Sequence, residues 1–117
     1  MSVDPAEAVR ALRERLGHRA PEDLRAEAAA KAIAPDLAKA LRRAGATRIV
    51  LFGSLVDGSF RRGSDIDLAV AGLTEPTLAR FERELTLLAG RSVELANLEL
   101  MPEPLRASID RFGVELP

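Results

Sequence analysis

An α+β fold is expected, of the two-layer α/β kind: a small mixed β-sheet with helices packed on one side and extra helices at the N-terminus. Three observations predict it. Helical periodicity with start signals fills residues 4–43. Three short apolar runs, at 48–52, 65–71 and 92–97, then read as strands. Gly, Ser and charged residues separate the first two, and a long amphipathic pattern separates the last two. The order is therefore two helices, then β-turn-β-α-β-α.

Asp4-Pro5-Ala6-Glu7 reads as a helix start, with Asp at the N-cap, Pro at the first helical position and Glu three residues after the cap. Val9, Leu12 and Leu16 follow at helical spacing, and Gly17 is a stop signal. Pro21-Glu22-Asp23 starts a second helix that can run to Arg43, with Leu24, Ala28, Ile33, Leu37 and Leu41 on its apolar face. Pro35 either kinks this helix or breaks it and restarts it. Gly45 suits its end. Residues 48–52 are nearly all apolar, the pattern of a strand buried on both faces. Residues 54–57 suit one helical turn and 58–64 a loop, before the second strand at 65–71. Gly72-Leu73 is a turn. Thr74-Glu75-Pro76 opens a helix that presents Leu78, Phe81, Leu85 and Leu88, and Gly90 ends it. In the third strand Val93 and Leu95 face one way and Glu94 the other. Residues 102–112 predict a short helix, and 114–116 a terminal extended piece. Ala26 to Ala34 is Ala-rich but reads as helix, and no repeat is evident.

The chain has 117 residues, which is one domain's worth. With four Phe and neither Trp nor Tyr, its core must come from Leu, Val, Ile and Ala. Lys+Arg number 17 against 18 Asp+Glu, which argues against broad nucleic-acid binding, although a local basic groove is compatible with it. The absence of Cys excludes disulfides, thiol chemistry and Cys-based zinc sites. No apolar run approaches about 18 residues and no signal-peptide pattern opens the chain. A cytoplasmic protein without a membrane partner is the expectation. His18 is isolated and reads as a surface residue.

The chemistry concentrates in residues 51–70. The apolar run ends in Gly53-Ser54, ten residues follow, and the next run opens with Asp65-Ile66-Asp67. Alternate strand residues share a face, so the two aspartates lie together, opposite Ile66, Leu68 and Val70. Adjacent carboxylates repel, and a cation relieves that repulsion. Mg²⁺ fits: it takes oxygen ligands and is usually held by one or two carboxylates plus substrate phosphates. Gly at a strand end lets a phosphate approach the backbone, and the N–H groups of the following turn attract anions. The bland alternatives are an acidic pair capping nearby N–H groups and Ser54 as an ordinary N-cap.

Gly-Ser, ten residues, then Asp-x-Asp resembles the signature of the DNA polymerase β-like nucleotidyltransferase superfamily. The Ser-Asp-Ile-Asp-Leu form is most similar to the minimal nucleotidyltransferases (MNT), including the antitoxins of HEPN/MNT toxin–antitoxin modules. Four fixed letters at this spacing arise by chance in such a chain roughly once in a thousand. The resemblance covers about residues 35–116. It implies a polymerase β-like nucleotidyltransferase fold at residues 35–117, whereas residues 1–34 match nothing specific and read, from their own helix signals, as a helical extension that packs on it or projects to a partner. It also implies ATP as substrate and Mg²⁺ or Mn²⁺ held by Asp65, Asp67 and a third carboxylate on the neighbouring strand.

Glu94 in Arg-Ser-Val-Glu-Leu matches that third position, where the family usually reads Val-Asp-Leu. Its ordinary alternative is a solvated strand face. Gly53, Ser54 and Ser64 would hold the nucleotide. Arg61 and Arg62 either grip phosphate or belong to a solvated loop. Two departures stand out: Glu replaces Asp at 94, and Leu55-Val56-Asp57 replaces the basic or small residues of many relatives, adding a charge near the triphosphate. The implied reaction is AMP transfer to a hydroxyl, with a HEPN-domain toxin encoded nearby as acceptor and a tyrosine as its modified residue. The rivals are an antitoxin that works by binding alone and a small-molecule nucleotidyltransferase acting as a homo-oligomer.

Overall fold

The computed structural model of the protein describes residues 4–15 and 19–117. The expected stop at Gly17 and the reading of His18 lie outside the described residues, as do Leu16 and the Leu12 side chain. Helix α1 spans Pro5–Arg15, and Asp4 caps it by accepting the Ala6 N–H at 3.0 Å.

Helix α2 runs over Pro21–Arg43 with Pro35 inside it, so it does not break and restart there. Pro35 and Lys31, whose carbonyl loses its partner, both lie on the exposed side, where water can replace the missing bond. The expected apolar face holds only in the second half of α2. Leu37 and Leu41 are buried, but Leu24 is 50 % exposed and Ala28 is exposed. The buried stripe instead starts at Asp23 and continues through Ala30 and Ala34. Its small side chains let the helix lie close to its neighbours, so weighting by residue size selected the wrong face. A boundary between residues 34 and 35 falls inside this one helix, and Ala30, Leu37 and Leu41 share one core cluster.

The strands β1 (Arg48–Phe52), β2 (Ile66–Ala71), β3 (Val93–Asn97) and β4 (Val114–Glu115) form one mixed sheet in the order β3-β2-β1-β4. β2 pairs with β1 antiparallel and with β3 parallel, and β4 closes on β1 antiparallel. The connection from β1 to β2 holds the helical turn α3 (Ser54–Asp57) and the loop 58–64. Helix α4 (Glu75–Ala89) makes the crossover from β2 to β3. Thr74 caps it by accepting the Thr77 N–H, and Gly90, at φ +69, ends it.

One face of the sheet, carrying Ile49, Leu51, Ile66, Leu68, Val70, Val93 and Leu95, packs against α2 and α4 in the main core. Leu78 and Leu85 of α4 join it. Leu88 does not: it is 55 % exposed, and Ala89, one turn after Leu85, takes the packing position. On the other face Val50 and Ala69 meet Leu98, from a 3₁₀ turn at Leu98–Leu100, and Ile109 of helix α5 (Glu103–Phe112). Among the described residues no helix is long and apolar enough to cross a membrane.

Candidate active site

The strand register brings the acidic residues together. Asp67 stands opposite Phe52 on β1 and opposite Glu94 on β3. Residues in register across neighbouring strands point to the same face, so Phe52, Asp67 and Glu94 form a row on the face away from α2 and α4. Asp65 lies just ahead of β2, which begins at Ile66 rather than at 65, and its charge acts on Asp67. Burial pushes the Asp67 carboxyl up to about 6, assisted by the charge of Glu94, a hydrogen bond with Glu94 and the charge of Asp65. Glu94 itself is exposed while Val93 and Leu95 beside it are buried.

Gly53 sits against this row with φ +77, a conformation glycine adopts without strain. A Cβ there would lie 2.3 Å from Oδ2 of Asp67, so the absence of a side chain is what lets the turn close over the carboxylate. The Gly53 carbonyl accepts the N–H groups of Val56 and Asp57 at 3.0 and 3.1 Å, forming the single turn that Ser54 opens. Asp57 is occupied locally: the Ser59 hydroxyl and backbone N–H bind its carboxylate and hold it below the usual carboxylate range. Beyond Phe52 and Gly53 opens a cleft of about 330 Å³, walled by Val56 and by Leu105, Ile109 and Phe112 of α5.

The other expected site residues line the loop. The Ser64 hydroxyl accepts the Arg61 N–H at 2.9 Å and closes the turn at 61–64. Arg61 and Arg62 lie beside a carboxylate that the sequence did not single out for this place. Asp23 is 3.2 Å from Nε of Arg62 and 3.9 Å from Nη1 of Arg61. Arg91 was also missed. Its guanidinium donates to the carbonyls of Arg62 and Ser64 at 3.0 and 2.8 Å. The only trace of Asp23 in the sequence was its place in a helix start, and Arg91 had none.

The donor set is all oxygen, and a raised carboxyl pKa marks a place where a cation would relieve like charge, so these residues fit Mg²⁺ or Mn²⁺. Among the described residues no three His, Cys, Asp or Glu side chains form a ready cage. Two carboxylates completed by substrate phosphates match the usual Mg²⁺ arrangement.

The polymerase β nucleotidyltransferase family model matches residues 36–116. The chain belongs to this family. Among solved structures, a minimal nucleotidyltransferase is 31% identical, with TM-score 0.62, covering 86% of this chain and 99% of that one. A chain of a toxin–antitoxin structure with AMP-PNP is 26% identical, with TM-score 0.64 and 72% and 73% coverage. A mutant MntA–HpeT toxin–antitoxin is 26% identical, with TM-score 0.61 and 70% and 69% coverage. No curated protein matches the chain. Gly53-Ser54 and Asp65-Ile66-Asp67 both lie within the matched segment, at the turn after β1 and at the start of β2, where the acidic row stands.

Proposed function

We propose that this nucleotidyltransferase-family protein transfers AMP from ATP to a hydroxyl of a partner protein, a tyrosine of a HEPN-type toxin, and so acts as its antitoxin. The observation that carries the reading is the Phe52-Asp67-Glu94 register, with Gly53 pressed against the Asp67 carboxylate. The similarity to toxin–antitoxin structures, one with AMP-PNP, supports the choice of nucleotide and partner.

Asp65, Asp67 and Glu94 would hold Mg²⁺ or Mn²⁺, which supplies neutralisation of phosphate charge and acidification of the attacking hydroxyl. Gly53 admits the triphosphate to the backbone. The Ser54 hydroxyl, with Ser64, Arg61 and Arg62 from the loop, orients it. Glu94, the exposed end of the row, is the carboxylate an incoming hydroxyl meets, and it accepts the hydroxyl's proton. The hydroxyl oxygen bonds to the α-phosphorus, the bond from that phosphorus to the bridging oxygen breaks, and pyrophosphate leaves.

The test incubates the protein with α-labelled ATP, Mg²⁺ and a HEPN-type toxin offered as the partner. Label on the partner is expected. A partner that binds tightly but stays unlabelled with every nucleotide, in Mg²⁺ and in Mn²⁺, would replace this reading with a binding-only antitoxin.

A further inference from the structure

The loop 58–64 leads directly into Asp65 and carries Arg61, Arg62 and Ser64, yet Phe60 is its one fully buried side chain. Its backbone is held from two sides. On one side stands Asp23, in the first turn of α2 and only 6% exposed. Oδ1 of Asp23 accepts the Arg62 N–H at 3.0 Å, while Oδ2 accepts the Ala20 N–H at 3.0 Å and so closes the start of α2. On the other side stands Arg91. One of its nitrogens donates to the carbonyls of both Arg62 and Ser64, and its guanidinium lies 4.9 Å from the centre of the Phe60 ring. The next residue, Ser92, accepts the Ile66 N–H at 2.9 Å, so Arg91 also marks where β3, the strand of Glu94, joins β2.

From this geometry we infer that Asp23 and Arg91 are positioning residues, a two-sided clamp that fixes the loop and thereby places Asp65, Arg61 and Arg62. The inference rests on the proposed nucleotidyl transfer for what the loop is placed to do. A buried carboxylate is retained only with partners, and here one oxygen serves its own helix while the other serves a loop 39 residues away. A cap alone would need the first oxygen only. Asp23 lies upstream of the segment that the family model matches, residues 36–116, so on this side the clamp comes from the preceding half of α2. Reorienting a substrate-holding group by about 1 Å can cost two orders of magnitude in rate, which is why such a clamp matters for chemistry it does not touch.

The experiment compares full-length wild type, Asp23→Ala, Asp23→Asn and Arg91→Gln by hydrogen exchange, by nucleotide binding, and by KM for ATP and kcat of transfer. Asp23→Ala and Arg91→Gln are each expected to speed exchange at 58–65 about tenfold while the β1 and β2 amides stay protected. They should raise KM for ATP about tenfold. Asp23→Asn, which keeps an oxygen acceptor for the Arg62 N–H, should recover part of both. If the loop stays as protected as in wild type, or is freed with KM and kcat unchanged, the inference is overturned. If Asp23→Ala does not fold, Arg91→Gln decides alone by the same criteria. If wild type neither binds nor transfers nucleotide, the proposed function fails, while loop exchange still decides whether the clamp exists.

Discussion

The two faces of the sheet are built from the same strands and do opposite work. Toward α2 and α4, β1 to β3 present Ile49, Leu51, Ile66, Leu68, Val70, Val93 and Leu95, all buried. Toward the other side the same strands present Phe52, Asp67 and Glu94 at one register. The first face removes apolar surface from water. The second gathers like charge and half-buries one carboxyl, which opposes folding. A one-residue slip of β2 would exchange the two sets, so the apolar face also holds the acidic one in place.

The largest expected effect lies on the apolar face. Leu68→Ala should lower unfolding free energy by about 2–5 kcal/mol in urea titrations, because Leu68 is fully enclosed and the cavity cannot collapse. A loss under about 1 kcal/mol would mean that this face is looser than its packing indicates.

Across the sheet, Glu94→Gln should leave melting nearly unchanged and cut AMP transfer at least roughly a hundredfold, about 2.7 kcal/mol of barrier. ATP binding and partner pull-down should survive, since Asp65, Asp67 and the Gly53 turn are intact. Transfer at wild-type rate would leave Glu94 as a solvated surface acid.

A smaller and opposite effect is expected from Asp67→Asn in chelator-treated protein. The folded pKa of Asp67 is raised to about 6 from an ordinary 3.8, so between those values the native state binds more protons than the unfolded one. Stability therefore falls as pH rises through that window, and the full cost applies above about 6. The Asn variant should melt higher than wild type at pH 8, by on the order of 1–2 kcal/mol, and the gain should shrink as pH drops toward 4. A variant less stable than wild type at pH 8 would show that the carboxylate is structural.

The smallest effect separates the buried and exposed sides of α2. Leu24→Ala should change stability by no more than about 0.5 kcal/mol, since Leu24 is half exposed, outside both core clusters. A cost of about 2 kcal/mol would restore the apolar face that the sequence suggested.

The sequence by itself determined what depends on neighbours along the chain. The strand spans to within a residue, the Asp4 and Thr74 caps, the Gly90 stop and the Gly53-Ser54 turn all follow from backbone periodicity and local hydrogen bonding. Periodicity also placed Glu94 opposite Val93 and Leu95. Only the tertiary structure decided that Glu94 stands beside Asp67, because inter-strand register depends on how the α4 crossover packs. It decided the buried face of α2, where alanines meet the sheet and Leu24 does not, and the continuity of α2 through Pro35. The Asp23 and Arg91 contacts were illegible for the same reason. A carboxylate at a helix start and an arginine after a helix stop look like surface residues until the chain path brings the loop 58–64 between them.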